Sequence, residues 1–179
     1  HVAEGESTVA GNENGDVGVS PTAITQTTAW GTATYHVLRK AGSTFDVSAD
    51  LALAAGSELR FDAGQPMRIM AGGGLSAIGT ASAPIVFTGT QATPGHWQGL
   101  SFINSTSPIN RLEHVVVEWG GGQPIGTLDG ANVIVRPTGA NSVTIANTTM
   151  RGSAGYGLYA GHLAILNGFV CNTMTGYAV

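Results

Sequence analysis

Residues 51–79, LALAAGSELRFDAGQPMRIMAGGGLSAIG, carry small apolar triplets at a fixed interval. Leu51-x-Leu53, Leu59-x-Phe61, Met67-x-Ile69 and Leu75-x-Ala77 each begin one octet after the one before. Gly56, Gly64 and Gly72 stand at the same place behind the first three triplets. An apolar-x-apolar triplet has period two and buries two side chains on one face of a very short strand. The rest of each octet must turn a corner, and glycine there accepts positive φ and close backbone approach. No long segment places apolar residues at helical spacing between caps, so helix is expected to be nearly absent.

Three octets make a coil of about 24 residues, within the range of solenoid repeats. The far end of the chain gives the same count independently: Thr149-Met150-Arg151-Gly152 recurs, three octets on, as Thr173-Met174-Thr175-Gly176. Further triplets continue the series at Ile85-x-Phe87, Leu100-x-Phe102, Val115-x-Val117, Val133-x-Val135 and Val143-x-Ile145. Their looser spacing is explained by Gly- and Pro-bearing loops at 88–99 and 120–130. The expected fold is all-β, a right-handed parallel β-helix with three short strands per coil and about six coils over residues 21–179. Residues 1–20, acidic, Gly-rich and without apolar period, are expected to be a tail or linker. A left-handed β-helix would show a hexapeptide period, and the calcium-binding nonapeptide type needs Asp after its glycines, which GGGLSAIG at 72–79 does not offer. A β-sandwich is the rival architecture, since it too has short strands and frequent turns.

Composition narrows the function. Only 10% of residues are charged, so Thr, Ser and Asn must supply most of the polar surface. A net charge of −4 with seven basic residues speaks against nucleic acid, which needs clustered Lys or Arg. No apolar run is long enough to span a bilayer as a helix. The single cysteine, Cys171, excludes an intramolecular disulfide and is expected to be a small buried side chain. The chain begins at His1, which is read as a processed product or a fragment.

The segments TAITQTTAWGTATYHVL (22–38), LALAAGSELRF (51–61), GTASAPIVFTG (79–89), GHWQGLSF (95–102) and LEHVVVEWGG (112–121) follow one another in this order. The series resembles the parallel β-helix repeat regions of bacterial cell-surface proteins and lipoproteins in the pectin-lyase-like superfamily. That resemblance implies an extracellular or surface-exposed module with a structural or adhesive role. It also implies further coils and a capping element, whereas TGYAV (175–179) stops partway round a coil.

The superfamily includes polysaccharide lyases and hydrolases, and the sequence weighs against both activities. Resemblance to the polygalacturonases would bring Asn-Thr-Asp, Asp-Asp, Gly-His-Gly and Arg-Ile-Lys motifs; only the fragments GHW (95–97) and RIM (68–70) occur. Inverting hydrolysis needs two carboxyl groups roughly 6.5–9.5 Å apart, and a lyase calcium site needs several converging carboxylates. Asp46, Asp50, Asp62 and Asp129 are dispersed along the chain. No catalytic residue, cofactor or metal is therefore expected.

Candidate glycan contacts are Trp97, His96, Trp119, Glu118 and His114. Trp97 and Trp119 could offer an aromatic face to a sugar, although packing at the core edge is the commoner role for such residues. His114 and Glu118 lie four apart beside strand 115–117; with Val115 and Val117 inward, Glu118 should face solvent. Asn147 and Asn172, ahead of the repeated tetrads, are expected at turns, with side-chain hydrogen bonds from coil to coil. The 20 threonines raise an ice-binding face, but no outward Thr file recurs at the coil spacing. The sequence thus points to a non-catalytic structural or adhesive β-solenoid, with a carbohydrate-binding or carbohydrate-active protein as the alternative. An open final coil presents unpaired strand edges, so it should be covered by a second copy stacking end to end, by further sequence or by a partner.

Overall fold

The computed structural model describes residues 17–124, 130–136 and 141–176. The chain winds as a three-walled ribbon. In the first turn β1 (Val17–Val19) forms one wall, Ile24 bridges to Val47 on the second, and β2 (Thr28–Trp30) forms the third. The second turn is β3 (Thr34–Val37), β4 (Phe45–Val47) and β5 (Asp50–Leu53). The third is β6 (Glu58–Phe61), β7 (Pro66–Ile69) and β8 (Gly74–Ile78). Then come β9 (Ile85–Gly89), β10 (Gly99–Ile103) and β11 (Arg111–Glu113), followed by β12 (Val115–Glu118), β13 (Ala131–Arg136) and β14 (Asn141–Ala146). A sixth turn holds β15 (Thr149–Arg151), β16 (Tyr156–Ala160) and β17 (Ala164–Val170), and β18 (Thr173–Thr175) starts a seventh.

All pairings are parallel and join each strand to the one a full turn away. Sheet A has seven strands (β1-β3-β6-β9-β12-β15-β18), sheet B five (β4-β7-β10-β13-β16) and sheet C six (β2-β5-β8-β11-β14-β17). This is a parallel β-helix with three strands per coil and six coils, and no helix occurs among the described residues. Leu51, Leu59 and Met67 lie on sheets C, A and B, three successive walls of the ribbon. One boundary differs from the sequence reading. Val17–Val19, expected in the tail, pair with Tyr35–Val37, because Val17 and Val19 alternate about Gly18 and reach the core. The rest of that expected tail, residues 1–16, lies outside the described residues.

Register is the source of the core. Tyr35, Leu59, Phe87, Val117 and Met150 stack one per coil inside sheet A. Phe45, Met67, Leu100 and Val133 do the same inside sheet B. These side chains are buried, each contributing roughly 1.5–3 kcal/mol. Coil length varies without harm. Leu51 pairs with Leu75, three octets on, while the step from Leu100 to its partner Val133 is longer, the surplus leaving as a loop at a corner.

Corners are set by backbone handedness and by buried polar side chains. Gly56, Gly64 and Gly72 have φ of 79, 71 and 86°, as their spacing required. Between sheets C and A the turn needs only one left-handed residue in two of the coils. His114 and Asn147 fill that position at φ 49° each, and Cys171 takes the equivalent place in the last coil at φ 54°. Cys171 is exposed, contrary to the burial expected of it, because the corner turns its side chain away from the ribbon interior. Asn172 meets the expectation of a coil-to-coil ladder: its Oδ1 accepts from the Thr148 amide and its Nδ2 donates to Ile145 O, at 2.9 and 3.0 Å.

Two further buried amides tie coils together. Asn132 Oδ1 accepts from the Gly120 amide at 2.8 Å, and its Nδ2 donates to Val117 O and Arg151 O. Asn110 Oδ1 accepts from the Leu75 amide, and its Nδ2 donates to Ser105 Oγ at 2.8 Å. Asn132→Ala leaves buried backbone groups unpaired and should cost about 2–3 kcal/mol by denaturant titration. Gln65 provides the converse case, since its buried Nε2 has no hydrogen-bond partner among the described residues. Gln65→Met should therefore leave the unfolding midpoint unchanged or raise it.

Candidate functional site

The outer faces of the ribbon differ in chemistry. Sheet A carries a file of polar side chains, one per coil: His36, Arg60 and Thr88 in register, then Glu118, Arg151 and Thr175. Thr88 donates to Glu118 Oε1 at 3.1 Å, and Arg151 Nε donates to Glu118 Oε2 at 2.7 Å. His36 Nε2 lies 2.8 Å from Asp62 Oδ1, while the Arg39 amide donates to Asp62 Oδ2 at 2.8 Å. Arg60 pairs with Glu58 within one strand, as Arg111 does with Glu113.

Sheet B carries a groove. It has a volume of about 280 Å³ and crosses three adjacent coils. Arg68 of β7, Ser101 of β10 and Ile134 of β13 are in register along its floor. Ile103 and Arg136, also in register, border one side; Gln98, Gln123 and Pro124 come from the corner loops on the other. Arg68 is held by Asp46 through two bonds of 2.7 and 2.6 Å, and donates to Thr44 Oγ1 as well. Arg136 is exposed and has no ion-pair partner among the described residues.

Burial alone would raise the Asp46 carboxyl, but hydrogen bonds from Arg68 and Thr44 outweigh it and hold the group below its ordinary value. The same bond to Asp46 raises Arg68, so its charge persists at every ordinary pH. Asp62 is lowered likewise: burial opposes the shift, and the bonds from His36 and the Arg39 amide prevail.

The residues expected to meet a glycan do not gather in this groove. Trp97 is fully buried, 0% exposed, and stacks on Phe61 with ring centroids 4.3 Å apart and planes 8° from parallel. Register explains why. Phe61 pairs in register with Gly89, which has no side chain to stack on it, and the Trp97 ring stacks on Phe61 from the corner that follows, while the space at Gly89 itself is closed by His96. The Trp97 Nε1 donates to Glu118 O one coil further on, at 2.8 Å. Trp97 is thus a core residue, the commoner of its two roles, and has no face to offer a sugar. His96 bonds Thr90 Oγ1 at 2.9 Å beside this corner. Trp119 takes φ 61°, and a Cβ at Gly152 would come within 2.5 Å of its ring, so it packs over the next coil's glycine. His114 occupies its one-residue corner. Glu118 faces outward as expected, yet only 13% of its side chain is exposed because Thr88 and Arg151 cover it.

Sequence reasoning misses the groove because Arg68, Ser101 and Ile134 are each a long coil apart along the chain and become neighbours only through register. The sequence marks Arg68 as the outward position within Met67-x-Ile69 and as the first residue of the fragment RIM (68–70), neither of which points to Ser101 or Ile134. No family model matches the chain, and no curated protein or solved structure matches it.

Two measurements check these assignments. Trp97→Ala empties a core layer and should cost about 3–5 kcal/mol in denaturant titration. In acid, stability should decline. Asp46 and Asp62 have folded pKa values below the unfolded value near 3.8, so the unfolded chain binds more protons. Their contribution is complete well above pH 3.8 and is lost as pH falls through the lower folded values. Asp46→Asn should flatten this decline between about pH 5 and pH 2.

Proposed function

We propose that the chain is a non-catalytic β-solenoid module of an extracellular or cell-surface protein, with a structural or adhesive role. The observation that carries this reading is the use made of its acids. Each of the six carboxylates among the described residues is engaged by a neighbour: Asp46 by Arg68, Asp50 by Ser107, Glu58 by Arg60, Asp62 by His36, Glu113 by Arg111 and Glu118 by Arg151. Three of these contacts join adjacent coils and brace the ribbon. Such contacts hold the carboxylates as structural acceptors, whereas hydrolysis requires a pair poised across a cleft.

The same module associates end to end with a second copy. Met174 repeats the buried Met150 in register but is 36% exposed, and Ile165, Phe169 and Val170 of β17 are exposed beside it. Among the described residues, the outer edges of β16, β17 and β18 carry no further strand and match the parallel pairing used throughout the ribbon.

Incubation with pectin or alginate should release neither reducing ends nor unsaturated uronates; release above that of a heat-denatured control would overturn the non-catalytic reading. Light scattering should show mass rising with concentration and reverting to a monomer in Met174→Lys. A monomer at all concentrations in the unaltered chain contradicts end-to-end association.

A further inference from the structure

One asparagine of the last turn stands in a setting that no other described asparagine shares. Asn167 is followed by a glycine, Gly168, within β17. Asn104 and Asn141 are followed by Ser, Asn110 by Arg, Asn132 by Val, and Asn147 and Asn172 by Thr. A side chain on the following residue shields the peptide nitrogen, and glycine leaves it open. The sheet is also interrupted at this pair. Thr144 matches Asn167 and Ala146 matches Val170, so Gly168 and Phe169 together oppose Ile145. That is a bulge, with a break in the ladder at its centre, and Gly168 takes φ 56° there. Asn167 and Gly168 are exposed, and among the described residues no strand lies on the outer edge of β17. Water therefore reaches the peptide both from the face and from the edge. The carboxamide is held by one exposed contact, from its Nδ2 to Ser142 Oγ. The amides of Asn110, Asn132 and Asn172, by contrast, each donate and accept across coils.

We propose that Asn167 is a site of self-modification, in which the peptide nitrogen of Gly168 attacks the side-chain carbonyl carbon of Asn167. The new N–Cγ bond closes a succinimide ring. The Cγ–Nδ2 bond breaks, and the amide leaves as ammonia with the proton given up by the Gly168 nitrogen. Water then opens the ring. Addition at Cγ yields aspartate with the backbone unchanged, and addition at the Asn167 main-chain carbonyl carbon yields isoaspartate, whose backbone runs through the former side chain. Water is the one co-reactant, and no electrons are exchanged. Either product places a carboxylate where Ser142 Oγ now accepts from an amide; the Ser142 hydroxyl can turn and donate instead. Isoaspartate also lengthens β17 by one backbone atom ahead of Phe169 and Val170, which are exposed at the open end. The modification thus bears on the end-to-end contact but does not rest on it.

The test is incubation of the folded full chain at body temperature and mildly alkaline pH, followed by peptide mapping. The peptide carrying Asn167 should gain the mass by which a hydroxyl exceeds an amino group, release ammonia in step, and become a substrate for isoaspartyl methyltransferase. Peptides carrying Asn104, Asn110, Asn132, Asn147 and Asn172 should stay unchanged over the same interval. Asn14-Gly15, outside the described residues, is read on its own peptide. Asn167→Gln should abolish the signal at this position. Gly168→Asn keeps a residue tolerant of left-handed backbone but adds a side chain beside the peptide nitrogen, and should suppress it. Unfolding midpoints close to that of the unaltered chain establish that both variants fold. A denatured sample sets the interval, since the pair reacts there without constraint from the sheet. The proposal is overturned if Asn167 stays unchanged in the folded chain over an interval that modifies the denatured one. It is also overturned if the other described asparagines change as fast, or if Gly168→Asn leaves the rate at Asn167 unaltered. A chain that stays monomeric would sink the end-to-end reading alone; a folded chain that stays unmodified would sink this site alone.

Discussion

Each inward side chain in this ribbon rests on the residue one coil below and supports the one above. That stacking is the interaction from which the remaining features follow. With about 4.8 Å between strands, a file such as Tyr35, Leu59, Phe87, Val117 and Met150 leaves no room for a helix or a second layer. Stability is therefore distributed along the axis, as in other solenoids, and each coil depends on its two neighbours. Where the in-register neighbour is a glycine, as Gly89 is to Phe61, the stacking partner comes from elsewhere, and Trp97 supplies it.

The same stacking organises the polar groups. At the corners the backbone leaves the sheets, and amides there would be buried without partners unless side chains supply them. Asn110, Asn132 and Asn172 each bond across coils to do so. On the outer faces, stacking brings like positions into files. Opposite charges are interleaved along sheet A, with Thr88, Glu118 and Arg151 bonded in sequence. Sheet B instead places Arg68, Ser101 and Ile134 in a line beside long corner loops, which leaves a groove in place of a ladder.

The fold is legible in the sequence because its strongest determinant is local. The octet spacing of Leu51, Leu59 and Met67, with glycines of positive φ at Gly56, Gly64 and Gly72, contains the corner geometry and the strand length together. The start of the ribbon is less clear, since Val17 and Val19 alone give too short an alternation to stand out from a Gly-rich segment. Cys171 departs from expectation because residue type argues for burial, while its left-handed corner position decides the matter. The candidate site is scarcely legible at all. Trp97 and Glu118 attract attention by residue type, but their partners, Phe61 and Arg151, are distant along the chain and are set by register.

In-register stacking can be measured directly by cysteine cross-linking in a Cys171→Ser background. Ala52 and Ser76 are outward neighbours on β5 and β8, paired Cα to Cα, and at strand separation two cysteines there can bridge. The account predicts that Ala52→Cys with Ser76→Cys forms an intramolecular disulfide under mild oxidation, whereas Ala52→Cys with Arg60→Cys does not. A bridge in the second pair and none in the first would mean that consecutive triplets pair as antiparallel hairpins, and would contradict the wound ribbon.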